Sequence, residues 1–360
     1  MGRILPLLLA LTAAAQTPTA KIVSAANAFL STLDAKQRQA VTFSFDDEAQ
    51  RKRWSNLPVA MVPRAGLKLG DLNASQRTAA LALVSASLSA RGYEKVQQIV
   101  EADEVLKNNG GRNTAGGPPP GGGRGGPPGG GRGGPPGGGR GGPGGGAMFG
   151  KDLYFISILG TPSEKTPWML QFGGHHLALN VTIDGARGIL TPSLIGAQPA
   201  LYTVAGKTVR PLGAESDKAM ALLNALDESQ RKQAILGFKV ADLVLGPGAD
   251  GKTIQPEGLR ASNMNEKQRT MLLDVVAEWA SIVHAEAAAA RMTQLKAEIA
   301  DMWFAWSGPV TVEPGKNITA YYRIQSPHLV IEYAPQPLGG DPGMHVHTMY
   351  RDPTNDYGRK

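Results

Sequence analysis

LNASQRTA, residues 72–79, returns three times in altered form: LDAKQRQA (33–40), LDESQRKQA (226–234) and MNEKQRTM (264–271). Each copy sets an apolar residue, an Asp or Asn, two variable positions and then Gln-Arg. Asp34, Asn73, Asp227 and Asn265 are residue types whose side chains accept a hydrogen bond from the first unpaired amides of a helix. A glutamine three positions on can return the bond to the cap's own amide. After Asn73 the apolar residues Ala79, Leu83, Ala86 and Leu88 keep helical spacing, as do Met271, Leu272, Val275, Val276 and Trp279 after Asn265. The pattern predicts four helix starts. The arginine that follows each glutamine falls outside the capping role, and its recurrence at helix starts reads as structural. The copies begin at 33 and 72 in one half and at 226 and 264 in the other. Two related helical units follow, one within 20–110 and one spanning about 215–300.

Between and after these units the pattern changes to short aromatic and β-branched runs. LYFISILG (153–160), WMLQF (168–172), HHLALNVTI (175–183), WFAWSG (303–308), ITAYYRI (318–324), HLVIEYAP (328–335) and MHVHTMY (344–350) read as strands. Turn residues bound them: TPSEKTP, DGARG, EPGKN, QSP and PLGGDPG. The fold class this implies is α+β, a mostly antiparallel sheet with the two helical units packed on or beside it.

The chain has 360 residues, 42% of them hydrophobic and 19% charged, which suits a globular protein with ample core. MGRILPLLLALTAAAQ at the start has the parts of an export signal over residues 1–15: Arg3, an apolar run and a small-residue cleavage site. A periplasmic or secreted location is expected, with no membrane anchor. Cysteine is absent, so the fold must rest on packing, with or without a metal. Residues 116–146, GGPPPGGGRGGPPGGGRGGPPGGGRGGPGGG, repeat every eight residues and offer nothing apolar to bury. They are expected to be a disordered insertion between 20–110 and 147–360. Much of the +7 formal charge sits in or beside that tract, at Arg112, Arg124, Arg132 and Arg140. No nucleic-acid partner follows from it. Phosphate loops, dinucleotide fingerprints and nucleophile elbows are also missing.

The chemistry-bearing residues gather in three segments. In GMHVHTMYRDPTNDYG (343–358), His345 and His347 would point to one face of a strand with Cβ atoms roughly 6.5–7 Å apart. Imidazoles at that spacing can lean toward one ion. Glu332, between Ile331 and Tyr333, costs several kcal/mol to bury ionised unless a cation or donor meets it. In GGHHLALN (173–180) adjacent histidines on a strand face opposite sides. His176 is favoured as ligand and His175 as a core or supporting residue, with the reverse assignment left open. His328 shares an alternation face with Glu332 and is a weaker candidate. The metal set is therefore His345, His347, Glu332, His176 and His175, for a divalent ion: zinc first, with iron, manganese or copper as alternatives. Arg351 and Asp352 are the candidate catalytic pair, holding substrate or a ligand histidine, with Asp356 nearby. FDDEAQRKRWSNLP (45–58) reads more as a charged surface turn than as the edge of a groove.

FSFDDEAQRKRWSNLP, LNASQRTAALALVSASLSARGYEKV, LGTPSEKTPWMLQFGGHHLALN, FAWSG, YYRIQSPHLVIEY and HVHTMYRDPTNDYG occur in that order. Together they resemble a bacterial and fungal family of exported proteins classed as a domain of unknown function. The resemblance covers nearly all of the chain after the leader, apart from the Gly/Arg/Pro insertion. It implies export and one shared architecture, not a reaction. From the residues, the expectation is an exported metal-dependent enzyme, hydrolytic rather than oxidative, acting on a small molecule or glycan. The alternatives are a non-enzymatic carbohydrate- or envelope-binding protein, with Trp306, Tyr321 and Tyr322 lining its pocket, or a purely structural metal.

Overall fold

The computed structural model describes residues 16–112, 148–337 and 340–359. The expected leader and the Gly/Arg/Pro tract lie outside them. The helices are α1 (Pro18–Ser31), α2 (Ala35–Val41), α3 (Glu48–Arg51), α4 (Ala74–Ser87) and α5 (Ala90–Asn108) in the first half. The second half has α6 (Gly213–Ala225), α7 (Glu228–Ala234), α8 (Glu266–Ala280) and α9 (Ala285–Ala297). All four predicted starts are reciprocal capping boxes: Asp34 with Gln37, Asn73 with Gln76, Asp227 with Gln230, and Asn265 with Gln268.

The glutamines do more than cap. Gln76 donates to Gln37 Oε1 at 2.8 Å and to the Thr32 carbonyl at 3.0 Å, tying α4 to α2 and the end of α1. Gln268 repeats this with Gln230 at 2.7 Å and the Ala225 carbonyl at 2.8 Å. Both glutamines are buried, so these bonds replace water that the side chains have lost. The arginines serve local structure, Arg38 on the Leu33 carbonyl, Arg77 on Asp152 and Arg231 on the Asn224 carbonyl.

The strands of the first half are β1 (Thr42–Phe43), β2 (Leu67–Lys68), β3 (Phe155–Leu159), β4 (Trp168–Gly174), β5 (Leu177–Asp184), β6 (Arg187–Ile189) and β7 (Ser193–Ile195). A separate hairpin, β8 (Tyr202–Val204) with β9 (Lys207–Val209), precedes the second half. That half has β10 (Leu259–Arg260), β11 (Trp303–Ser307), β12 (Tyr321–Ser326), β13 (Leu329–Pro335) and β14 (Val346–Arg351). One 12-stranded, mostly antiparallel sheet joins the halves in the order β1-β3-β4-β5-β7-β14-β13-β12-β11-β10, with β2 on β3 and β6 on β5. The α+β expectation holds.

The order is nearly palindromic because the halves repeat each other. Gln171 faces Asn180 across β4 and β5 as Arg323 faces Glu332 across β12 and β13. Leu67 pairs with Ile156 as Leu259 pairs with Phe304. Thr42 runs parallel to Ile158 as Ile235 does to Trp306. The two helical units meet at their elbows, where Leu88 bridges Val283, Ser89 N–H bonds the Ile282 carbonyl and His284 N–H bonds the Ser87 carbonyl. An approximate two-fold axis therefore passes between these elbows and between β7 and β14. α1 packs on α4 and α6 on α8, and one apolar core draws on both halves, from Ile22 and Leu83 to Trp279 and Tyr322. No helix among the described residues is long and apolar enough to cross a membrane.

Candidate metal centre

His176 is not on a strand. It sits in the tight turn between β4 and β5 with a φ of 60°, a left-handed conformation uncommon for a residue with a Cβ. Two backbone bonds hold it there. Its N–H donates to the Asn56 carbonyl at 3.3 Å, and its carbonyl accepts from Gly196 N–H at 2.7 Å. Gly196 is required for that approach, because a Cβ at 196 would stand 2.7 Å from the Val346 carbonyl oxygen. The strand-alternation argument used on His175 and His176 therefore does not apply, since a turn sets their directions.

β14 and the residue before it supply the other two imidazoles. Val346 and Ala197 bridge β14 to the segment after β7, which brings His345 and His347 against the His176 turn. His345 Nε2 lies 2.9 Å from His176 Nε2 and 3.1 Å from His347 Nε2. The three ligand atoms fall within 4.8 Å of one another, and all three residues are buried. Burial, and then the neighbouring histidines 175, 345 and 347, hold the His176 ring well below the usual imidazole range, so it is neutral. A neutral imidazole has one lone pair and one N–H. Nitrogens packed this closely are better served by a shared cation. Four-coordinate zinc with bonds of 2.0–2.1 Å would set ligand nitrogens about 3.3–3.4 Å apart, a few tenths of an ångström wider than the 2.9 and 3.1 Å that separate His345 Nε2 from its two neighbours.

The surroundings fit that use. His347 Nδ1 lies 3.3 Å from Asp242 Oδ1, the contact through which a carboxylate fixes the tautomer of a ligand imidazole. Burial opposes the charge on Asp242, but the His347 ring, the Leu243 N–H and the Gln336 amide outweigh it and hold its carboxyl below the usual range. The Asn56 amide nitrogen is 3.4 Å from His347 Nε2. Asn56 and Asp242, which both lie against His347, also line a cavity of about 290 Å³ with Val244 and Lys252. Asp242 keeps 54% of its side chain exposed there.

Glu332, expected as a ligand, is not in the cluster. Its oxygens accept from Val244 N–H at 2.7 Å, Leu245 N–H at 2.8 Å and the Tyr321 hydroxyl at 2.7 Å. Burial raises its carboxyl above the usual range, and these three donors only partly offset that. The donor that a buried glutamate requires is the 242–250 loop. Arg351 holds the same loop. Its Nε donates to the Leu245 carbonyl and its Nη2 to that of Gly246, while Nη1 pairs with Asp250 and Asp356. Asp352 is taken up by Thr354 and an ion pair with Arg291. Among the described residues no hydrogen bond or ion pair joins either side chain to the three histidines.

His175 is a supporting residue. Its Nδ1 lies 2.6 Å from Asp103 of α5, and Asp103 also accepts the Gly150 N–H at 2.9 Å. Its ring sits 3.7 Å from that of His176. His328 bonds Thr354 on another turn. The aromatics expected in a ligand pocket are core instead, with Trp306, Tyr322 and Tyr333 stacked in series and Tyr321 bonded to Glu332. Three neighbours escaped the sequence reading. Asn56 lies in the segment read as a surface turn, Asp242 in an irregular loop without a motif, and Asp103 on a helix face that gave no reason to single it out.

Curated proteins and solved structures offer no match to the chain. The family model described as protein of unknown function (DUF3500) matches residues 15–359, and the chain belongs to that family.

Proposed function

We propose that this protein is an exported metal-dependent enzyme, hydrolytic rather than oxidative, whose ion is held by His176, His345 and His347. One observation carries the proposal: three buried imidazoles drawn from the two halves of the chain each offer a ring nitrogen within 4.8 Å of the others, beside a carboxylate on the far nitrogen of one ring. Three neutral imidazoles leave the full charge of a divalent ion uncompensated. A bound ion of that kind acidifies water, which suits hydrolysis. With three protein ligands a divalent ion would keep a position for water, where a structural site would be closed, and Asn56 and Asp242 beside His347 link the cluster to the opening of the adjoining cavity. The half-exposed Asp242 can orient His347 and receive a proton at that opening, and Asn56 can hold a polar substrate atom. Zinc fits the all-nitrogen set best, and the leader-like first residues support export.

The test is metal analysis of protein purified without an affinity tag, beside a His345→Ala/His347→Ala variant. One ion per chain in the first and none in the second is the expected result, together with chelator-sensitive cleavage of activated esters or amides. Protein that contains no ion and takes up none on zinc addition would overturn the proposal. A bound ion whose removal lowers only thermal stability, with no turnover in any such assay, would reduce it to a structural site.

A further inference from the structure

The approximate two-fold gives the His176 turn a counterpart, the turn between β12 and β13. His328 stands four residues before Glu332 as His176 stands four before Asn180, and Glu332 and Asn180 hold matching positions in their hairpins. No imidazole cluster forms at this second turn. It opens instead on a cavity of about 470 Å³, within the size range of small-molecule sites.

The cavity has two unlike ends. Ile189, Leu190, Val283, Ala287 and Ala290 make an apolar wall. Across from them Arg291 reaches from α9 to the His328 carbonyl, pairs with Asp352 at 3.2 Å and donates Nε to the Tyr350 hydroxyl at 3.3 Å. At the buried end Arg291 faces Asp352, Arg187 at the rim pairs with Asp184, and the remaining carboxylate of the lining, Glu286, stands exposed to solvent. A charged ligand group at the buried end would compete with the Arg291–Asp352 pair and leave one of its members uncompensated in a poorly hydrated place. Hydrogen bonding, by contrast, is unfinished. Tyr350 is 2% exposed, and its oxygen receives Arg291 while its hydrogen finds no acceptor among the described residues. Asp352 Oδ2 pairs with Arg291 at 3.2 Å and accepts no other side-chain bond shown among the described residues. A free donor beside an under-used acceptor is the complement of a hydroxyl group, which accepts one bond and donates another. The wall at Gly188 is also thin. A Cβ there would lie 2.7 Å from Nε2 of the buried His284, whose ring nitrogens have no partner among the described residues.

We propose that this cavity binds a small uncharged molecule bearing a hydroxyl on an apolar body, at a site separate from the histidine cluster. Benzyl alcohol is the probe, with benzoate and benzylamine as charged isosteres, each titrated by ligand-observed NMR against the full chain. Benzyl alcohol is expected to bind at least tenfold more tightly than either isostere, with or without chelator. Ala290→Phe, at an exposed position on the apolar wall, should abolish that binding. Tyr350→Phe should weaken it about tenfold. Absence of benzyl alcohol binding, equal binding of the charged isosteres, or undiminished binding to Ala290→Phe would each overturn the proposal. If Tyr350→Phe fails to fold, the Ala290→Phe arm decides alone.

Discussion

The residue that distinguishes a metal centre from three crowded imidazoles is Asp242. Its carboxylate bonds the ring nitrogen of His347 that faces away from the cluster, so its effect on an ion runs through the orientation and basicity of that ring. Asp242→Asn should lower zinc affinity about 10–100-fold in competition with a chelator, with the thermal midpoint of the metal-free protein unchanged. Equal affinity would mean that the contact is incidental. Proton linkage acts at the same scale. Burial holds His176 well below the ordinary imidazole range, and burial, partly offset by Glu286, lowers His284 from 6.5. Each ring takes up a proton in the unfolded chain more readily than in the folded one. The unfolded state therefore gains protons as pH falls through about 6.5, and stability is lost in that direction. In metal-free protein these rings pull the denaturation midpoint down between pH 7.5 and 5.5, against Asp356, whose carboxyl burial raises to about 6. His284→Leu should shift the pH 5.5 midpoint upward relative to that at 7.5, and an unchanged difference would contradict the buried neutral ring.

At the scale of elements, the loop over 242–250 is an instrument held by two anchors. Glu332 grips its amides and Arg351 its carbonyls, each from the sheet. Glu332→Gln keeps the volume but turns an acceptor into a donor that faces backbone N–H groups. It should cost about 1–3 kcal/mol of stability. Hydrogen exchange at Val244 and Leu245 should accelerate while bound zinc stays at one per chain. Loss of the ion with exchange unaltered would return Glu332 to the ligand set. The helix starts teach a complementary lesson. Capping boxes are local, so Asp34, Asn73, Asp227 and Asn265 announce them within four residues. The second task of Gln76 and Gln268, bonding the glutamine of another helix, depends on how the helices pack and leaves no mark in either segment alone.

For the molecule as a whole, the sheet is continuous through β7 and β14, and the apolar core spans both halves. Separate unfolding of one half would expose the β7–β14 seam and the elbow where Leu88 meets Val283. A single calorimetric transition is expected, with calorimetric and van't Hoff enthalpies in agreement. Two resolved transitions would show that the halves fold independently. The described residues on either side of the Gly/Arg/Pro tract also meet, since Gly150 and Lys151 N–H bond Asp103 and Glu104 near the end of α5. Replacing residues 116–146 with a short Gly/Ser linker should leave the thermal midpoint within about 1 kcal/mol of stability, because loop-closure entropy changes slowly with length.

The sequence by itself determined the elements and their kinship. The four caps, the strand runs and the repeated helical unit all rest on interactions that span a few residues, or on alternation that a chain carries wherever it goes. It also placed the three histidines among five candidate ligands, with Glu332 and His175, because HxH, HH and a glutamate in an apolar run kept company in the chain. Tertiary structure alone decided which polar groups meet. Glu332 and Arg351 are buried charges whose need for partners is evident from their apolar neighbours, but the partner is a loop some ninety to a hundred residues away in the chain, chosen by the packing of the second helical unit over the sheet. His176 joined His345 and His347 for a similar reason. A left-handed turn, a glycine without a side chain and a bridge between distant strands set its direction, and none of these is a property of the residue itself.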